Sequence, residues 1–150
     1  MRVVFGLSLI VFAIVFLALF GYNVFAAEKI VVKPPYYFDA KDAVSQVNAL
    51  AFVFFFSLLA FGLSSPVALG IEAAKYASLL SIGEVGWYDL LFILPSIIVA
   101  LAAAELGQGI LDDYEGKGSL FKHSKKALVG LGVSVVLLLA LIFARGFVGV

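Results

Sequence analysis

The chain reads as an all-α integral membrane protein, a bundle of five transmembrane helices with four as the alternative. Three observations predict this. Of 150 residues, 64% are hydrophobic and only 13% charged, and mean hydropathy is +1.16, far from a soluble domain. The apolar residues come in long charge-free runs, 3–27 and 43–71 among them, and either run is enough to cross a ~30 Å hydrocarbon core. The remaining stretches are broken by Gly, Pro and charge at helix-length intervals. The length allows one membrane domain.

The first span covers 3–27. Arg2 and the small residues Ala26 and Ala27 also fit a signal peptide, with Val24-Phe25-Ala26 as a cleavage box. An apolar core this long exceeds an h-region, so a retained signal anchor is expected. The run 43–71 is too long for one straight helix, and Gly62-Leu63-Ser64-Ser65-Pro66 breaks it. Ser65 suits an N-cap and Pro66 the first helical position. Spans are therefore expected at 44–63 and 66–82. Gly83-Glu84-Val85-Gly86 is a turn, and Trp87-Tyr88 an interfacial anchor. A fourth span runs over 89–110, with Pro95 in its second turn. Residues 112–126 form a hydrophilic loop broken by Gly116 and Gly118. The fifth span covers 127–147.

Topology turns on whether 66–82 crosses. With five spans, Arg2 and the basic loop of Lys117, Lys122, Lys125 and Lys126 are cytoplasmic, as the positive-inside rule asks. Tyr22, Tyr36, Tyr37, Trp87 and Tyr88 then share the outer interface. With four spans and the N-terminus outside, Lys29, Lys33 and Lys41 join the basic loop inside. The Ser65-Pro66 cap favours five, with the N-terminus in the cytoplasm and the protein multi-pass in the cell membrane.

Helix packing is written in small residues. Gly70, Ala74 and Ser78 recur every four residues, with Ala73, Ala77 and Ser81 beside them. Ala100 and Ala104, and Ala103 and Gly107, repeat the pattern in the next helix. Such stripes let backbones approach closely in lipid. The third and fourth helices are therefore expected to make the tightest contact. The first, rich in Val, Leu, Phe and Ile, is expected on the outside, where Val11→Leu would be silent.

The candidate intramembrane polar site consists of Glu72, Lys75, Glu105 and Gln108, because a charge at membrane depth costs several kcal/mol unless paired, hydrated or snorkelled. Glu72 and Lys75 are i,i+3 neighbours that can neutralise each other, or they serve transport or ligand binding. Glu105 and Gln108, also i,i+3, either reach the headgroups or join that site. Asn48 is expected to cap or bond between helices, and Arg145 to snorkel. The Lys122–Lys126 cluster is a topology signal that can also touch anionic lipid.

Zero net charge gives no reason for a nucleic-acid partner. There is no cysteine, and His123 alone cannot build a histidine metal site, so no metal and no cofactor are expected. No HExxH, GxSxG, P-loop or dinucleotide fingerprint occurs. No Asp lies at membrane depth for an intramembrane aspartyl site. No catalytic residue is assigned, and the expectation is not an enzyme.

The second half carries a resemblance. Leu90-Leu91-Phe92-Ile93-Leu94-Pro95-Ser96-Ile97-Ile98-Val99-Ala100 leads into Ala/Gly-rich helix through Gly107, then a basic loop and a last apolar helix. This resembles the stage II sporulation protein M family, over residues 44–147. Asn48 and the Gly62–Pro66 break sit where that family has an Asn and a Gly/Pro bend. Its His-Gly pair and Glu ahead of the Leu-Pro step fall here on Asp89, Leu90 and Ile93. The resemblance implies a multi-spanning, non-enzymatic scaffold in a membrane complex, beside peptidoglycan-remodelling partners in sporulating bacteria. Its expected partners are the lipid bilayer and further copies or other membrane subunits. The alternative is a small transporter, or a membrane subunit of a transport or ion-pumping complex, using the intramembrane charges.

Overall fold

The structure, a computed structural model, describes residues 2–36, 38, 39 and 42–148. Tyr37 and Lys41, which the sequence placed at the outer interface and in the charge balance, lie outside the described residues, as does the Arg2 side chain. Among the described residues five α-helices form an all-α bundle: α1 (Arg2–Phe25), α2 (Ala43–Leu58), α3 (Ser65–Ser81), α4 (Ile93–Tyr114) and α5 (Leu120–Val148). Among the described residues four helical stretches are long and apolar enough to cross a membrane: Gly6–Phe25, Ala43–Gly62, Trp87–Tyr114 and Leu120–Phe147. α3 has 17 residues, about 25 Å at ~1.5 Å per residue.

Side-chain contacts fix the directions. The start of α1 (Val4, Ser8) meets the start of α3 (Ser65, Leu69), and Asn23 near the end of α1 bonds Ser81 at the end of α3. The two therefore run parallel. α2 runs opposite to α3, with Gln46 beside Tyr76. α4 also opposes α3, since Leu69 and Ala100 line one small cavity and Gly62 lies on Ala104. α5 opposes α4: Gly130 lies on Ala102, and Ser134 donates to the Pro95 carbonyl at 3.0 Å. The start of α1, the α2–α3 turn and the α4–α5 turn thus share one end. The 26–42 segment, the α3–α4 connection and the end of α5 share the other. The core between them holds Leu50, Val53, Leu69, Tyr76, Phe92, Val99 and Leu138.

Four boundaries differ from the sequence reading. α2 ends at Leu58, and Leu59–Gly62 form a tight turn in which Ala60 (φ 50), Phe61 (φ 57) and Gly62 (φ 89) are left-handed. The first two are strained for residues carrying a Cβ. Ser65 is not the N-cap. Ser64 holds that position and turns its hydroxyl back to the carbonyls of Phe56 and Leu59. Its single proton is shared between them, which eases the carbonyl end of α2 that apolar surroundings would leave unpaired. Ser65 is helical and donates to the Gly62 carbonyl at 2.8 Å. Trp87–Phe92 form a 3₁₀ turn, so α4 starts at Ile93 and Pro95 lies in its first turn. Most of the hydrophilic loop is helix. α4 runs on to Tyr114 and α5 begins at Leu120, leaving a short turn where Gly116 (φ 79) and Gly118 (φ 59) are left-handed. Charge there marks exposure to water, not loss of helix.

The packing expectation also changes. The closest seams are α1 along α3 and α4 along α5, not α3 along α4. Gly70 receives Val11 and Val15 of α1; a Cβ there would lie 3.3 Å from Val11 Cγ1. Val11 is therefore a packing residue and not lipid-facing, although α1 as a whole is the most peripheral of the apolar stretches. Gly107 receives the α2–α3 turn, where a Cβ would stand 2.4 Å from the Phe61 carbonyl carbon. Ala103 is buried in the core, Ser78 is buried and Ala74 half-buried. A small residue permits close approach without naming the partner.

Candidate functional site

The most densely bonded polar site is on α3. Three-residue spacing brings Glu72 and Lys75 onto one helix face, and their side chains meet at 2.6 Å with 0% of either exposed. Taking both charges from water is costly unless the remaining donors and acceptors are satisfied. They are. Glu72 Oε2 accepts from Lys75, and Oε1 accepts from the Tyr36 hydroxyl. Lys75 Nζ donates a second hydrogen bond to Tyr36 Oη at 2.9 Å. The ammonium also lies 3.8 Å from the ring centre of Phe38, 4.4 Å from that of Tyr76 and 5.4 Å from that of Tyr36. Ring faces carry negative potential and attract a desolvated cation. Carboxylate, phenol and three rings together enclose one ammonium.

Two of those groups come from the segment between α1 and α2, which the sequence reading treated as interfacial. Residues 29–36 instead form an extended strap along α3, from Ser81 back to Glu72. Asn23, fully buried at the end of α1, takes both backbone groups of Ile30. Its Oδ1 accepts from the Ile30 N–H and its Nδ2 donates to the Ile30 carbonyl, each at 2.8 Å. Val32 N–H donates to Ser78 Oγ at 3.1 Å, and Lys29 Nζ donates to the Ser81 carbonyl at 2.9 Å. Non-helical backbone laid against an apolar bundle is tolerated only when protein groups satisfy it. Tyr36 therefore points into the bundle and not to the outer interface. Its ring lies beside Phe52 of α2 and Phe38, and Tyr76 extends the network to Gln46.

A second cluster joins α4 to α5. Glu105 Oε1 lies 2.8 Å from His123 Nδ1 and 3.1 Å from Lys126 Nζ. His123 Nε2 lies 3.4 Å from Asp112 Oδ2. The imidazole bridges two carboxylates two turns apart on α4, and Gly109 between them makes room. A Cβ at Gly109 would stand 2.5 Å from His123 Cβ. Gln108 donates to Asp112 at 2.7 Å, so Glu105 and Gln108 do not act as a pair reaching for headgroups. Glu105 is 7% exposed. Lys122 and Lys125 lie exposed on the first turns of α5. Lys117 sits in the connecting turn, where its hydrogen bond to Glu115, and then that carboxylate's charge, raise its ammonium above the usual range.

A third pair closes the opposite end. Asp89 and Arg145 meet at 3.0 Å, and Asp89 Oδ2 also accepts from the Gly86 N–H at 2.7 Å. Tyr88 donates to the Leu141 carbonyl at 2.9 Å, while Trp87 is exposed and packs edge-on against Phe20. Arg145 is thus tied to the α3–α4 connection and does not snorkel alone. Asn48 is exposed on the outer face of α2, and the buried amide is its neighbour Gln46.

The structure leaves Glu72–Lys75 and Glu105 in two separate sites. Sequence reasoning missed Tyr36, Phe38 and Tyr76 around the first, His123 and Lys126 at the second, and Asn23, which holds the strap. A signal existed for Asn23, a lone amide within a charge-free run. Among the described residues no group of three His, Cys, Asp or Glu is arranged to hold a metal. No family model matches the chain, and neither a curated protein nor a solved structure does.

Proposed function

We propose that the protein is a non-enzymatic, multi-spanning membrane scaffold, a subunit of a membrane complex. All five helices cross, with the N-terminus and the Lys117–Lys126 region in the cytoplasm. The alternating helix directions support this topology. They put the basic α4–α5 turn with the N-terminus, and residues 83–86 with the 26–36 segment at the other end. The observation that carries the scaffold reading is the closure of Glu72 and Lys75. Both are 0% exposed and each is bonded to the other and to Tyr36. A carrier's charged site alternates between open and bonded states, and this one is filled by the protein's own groups. The charges at the two ends of the bundle are likewise paired within the protein, joining α4 to α5 and α5 to the α3–α4 connection. The resemblance to the stage II sporulation protein M family fits such a role.

Mild-detergent purification from native membranes, with reconstitution of the pure chain, tests the reading. A scaffold co-purifies stoichiometrically with another membrane subunit or with further copies, and gives no ion- or proton-coupled flux in liposomes. Flux abolished by Glu72→Gln together with Lys75→Met would establish the transporter alternative instead.

A further inference from the structure

We infer that the strap at residues 29–36 is a detachable plug, clasped by Asn23, that controls water access to the Glu72–Lys75 pair from the end where α1 finishes. Three observations carry it. Among the described residues the strap makes no ladder of main-chain bonds with its neighbours. Each of its recorded ties to α1 and α3 uses a side chain: Asn23 to both backbone groups of Ile30, Ser78 to Val32, and Lys29 to Ser81. Segments held by few, non-cooperative bonds open at much lower free energy than the helices they cover. Next, the strap carries what seals the pair. Tyr36 bonds both Glu72 and Lys75, and its withdrawal leaves an acceptor and a donor that water must satisfy. Last, Ser78 and Lys75 are fully buried beneath the strap, whereas Ile30 and Val31 on top of it are exposed. Lifting 29–36 therefore uncovers α3 from Ser81 toward Glu72 without parting any helix from another. Asn23 is a positioning residue in this device, holding Ile30 as a neighbouring strand would. The plug shares the closed Glu72–Lys75 site with the scaffold reading and departs from a carrier's cycle because the pair opens from one end only. Labelling without ion flux fits both, and flux overturns the scaffold reading alone.

The chain has no cysteine, so single cysteines report cleanly in proteoliposomes treated with a charged, membrane-impermeant methanethiosulfonate. Glu28→Cys, in the exposed connection, gives the full-rate reference. Ser78→Cys should label slowly but measurably, and at least ~10-fold faster when Asn23→Ala is added. Asn23→Asp, which keeps the acceptor for the Ile30 N–H and loses the donor, should fall between. Ala103→Cys in the core should stay unlabelled throughout. An unchanged Ser78→Cys rate in Asn23→Ala overturns the plug, and so does equal acceleration at Ala103→Cys, which reports opening of the whole bundle. Hydrogen exchange on the otherwise unaltered protein gives a second route that survives a misfolded variant. The Ile30 and Val32 amides should exchange at least ~100-fold faster than the amides of 72–78. Equal protection overturns the inference.

Discussion

The α3 pair and the α4–α5 cluster solve the same problem, a carboxylate inside an apolar bundle, in opposite ways. Glu72 finds its counter-ion three residues along its own helix, so the pair exists before any helix packs. What it lacks is insulation, which the strap and the rings of Phe38 and Tyr76 supply. Glu105 has no partner on α4, and its counter-charges, His123 and Lys126, arrive only when α5 folds back. The first arrangement neutralises charge without specifying an architecture. The second fixes the register of two helices, since the imidazole must land over Gly109 to reach both Glu105 and Asp112. Burial differs accordingly: Glu72 is sealed, while the α4–α5 cluster lies beside a water-facing turn. The α3 site should therefore answer steeply to loss of one charge, and the α4–α5 site more gently.

The largest effect is expected at α3. Glu72→Gln or Lys75→Met alone strands a buried charge and should cost about 3–5 kcal/mol, whereas the double variant should lie near the parent. Thermal unfolding in detergent measures this. Additive losses from the two single changes would show that each residue has a separate partner, ending the contrast with Glu105. Next comes Gly107→Ala, whose Cβ would sit 2.4 Å from the Phe61 carbonyl carbon. Overpacking typically costs ~1–3 kcal/mol, while Gly6→Ala, with nothing within 4 Å, should leave the melting temperature unchanged. Equal melting of the two variants would refute the close approach of α4 to the α2–α3 turn.

A smaller loss is expected at the α4–α5 cluster. Glu105→Gln removes a charge-assisted bond at a site near water, and a loss at the lower end of the ~1.5–3 kcal/mol range for such bonds is anticipated. A loss as large as that of Glu72→Gln would erase the distinction between the sites. The smallest effect is expected at the turn, where Lys117 is 60% exposed and pairs with Glu115. Lys117→Ala should leave unfolding unchanged at moderate salt, because exposed pairs are screened. A clear drop in melting temperature there would mean that the turn carries structure beyond its two glycines.

By itself the sequence determined the class, the five helical segments and the break after α2. Those depend on local quantities: apolar run length, the Gly62–Pro66 punctuation and the lack of charge across 3–27. It also placed Glu72 and Lys75 on one helix face, where i,i+3 spacing lets them meet, and the structure shows that they do. Only the tertiary structure decided what each small residue receives. Gly70 meets Val11, Gly107 meets Phe61 and Gly109 meets His123, yet the three glycines look alike in sequence. It decided that Arg145 ends on Asp89 and that Gln46, not Asn48, faces inward. It decided above all that Tyr36 turns inward to the charged pair. An aromatic in a connection reads as an interfacial anchor, and nothing local tells it that α3 leaves a carboxylate and an ammonium to be covered. Burying a charge is a debt to the whole bundle, met by whichever chain segment can reach it.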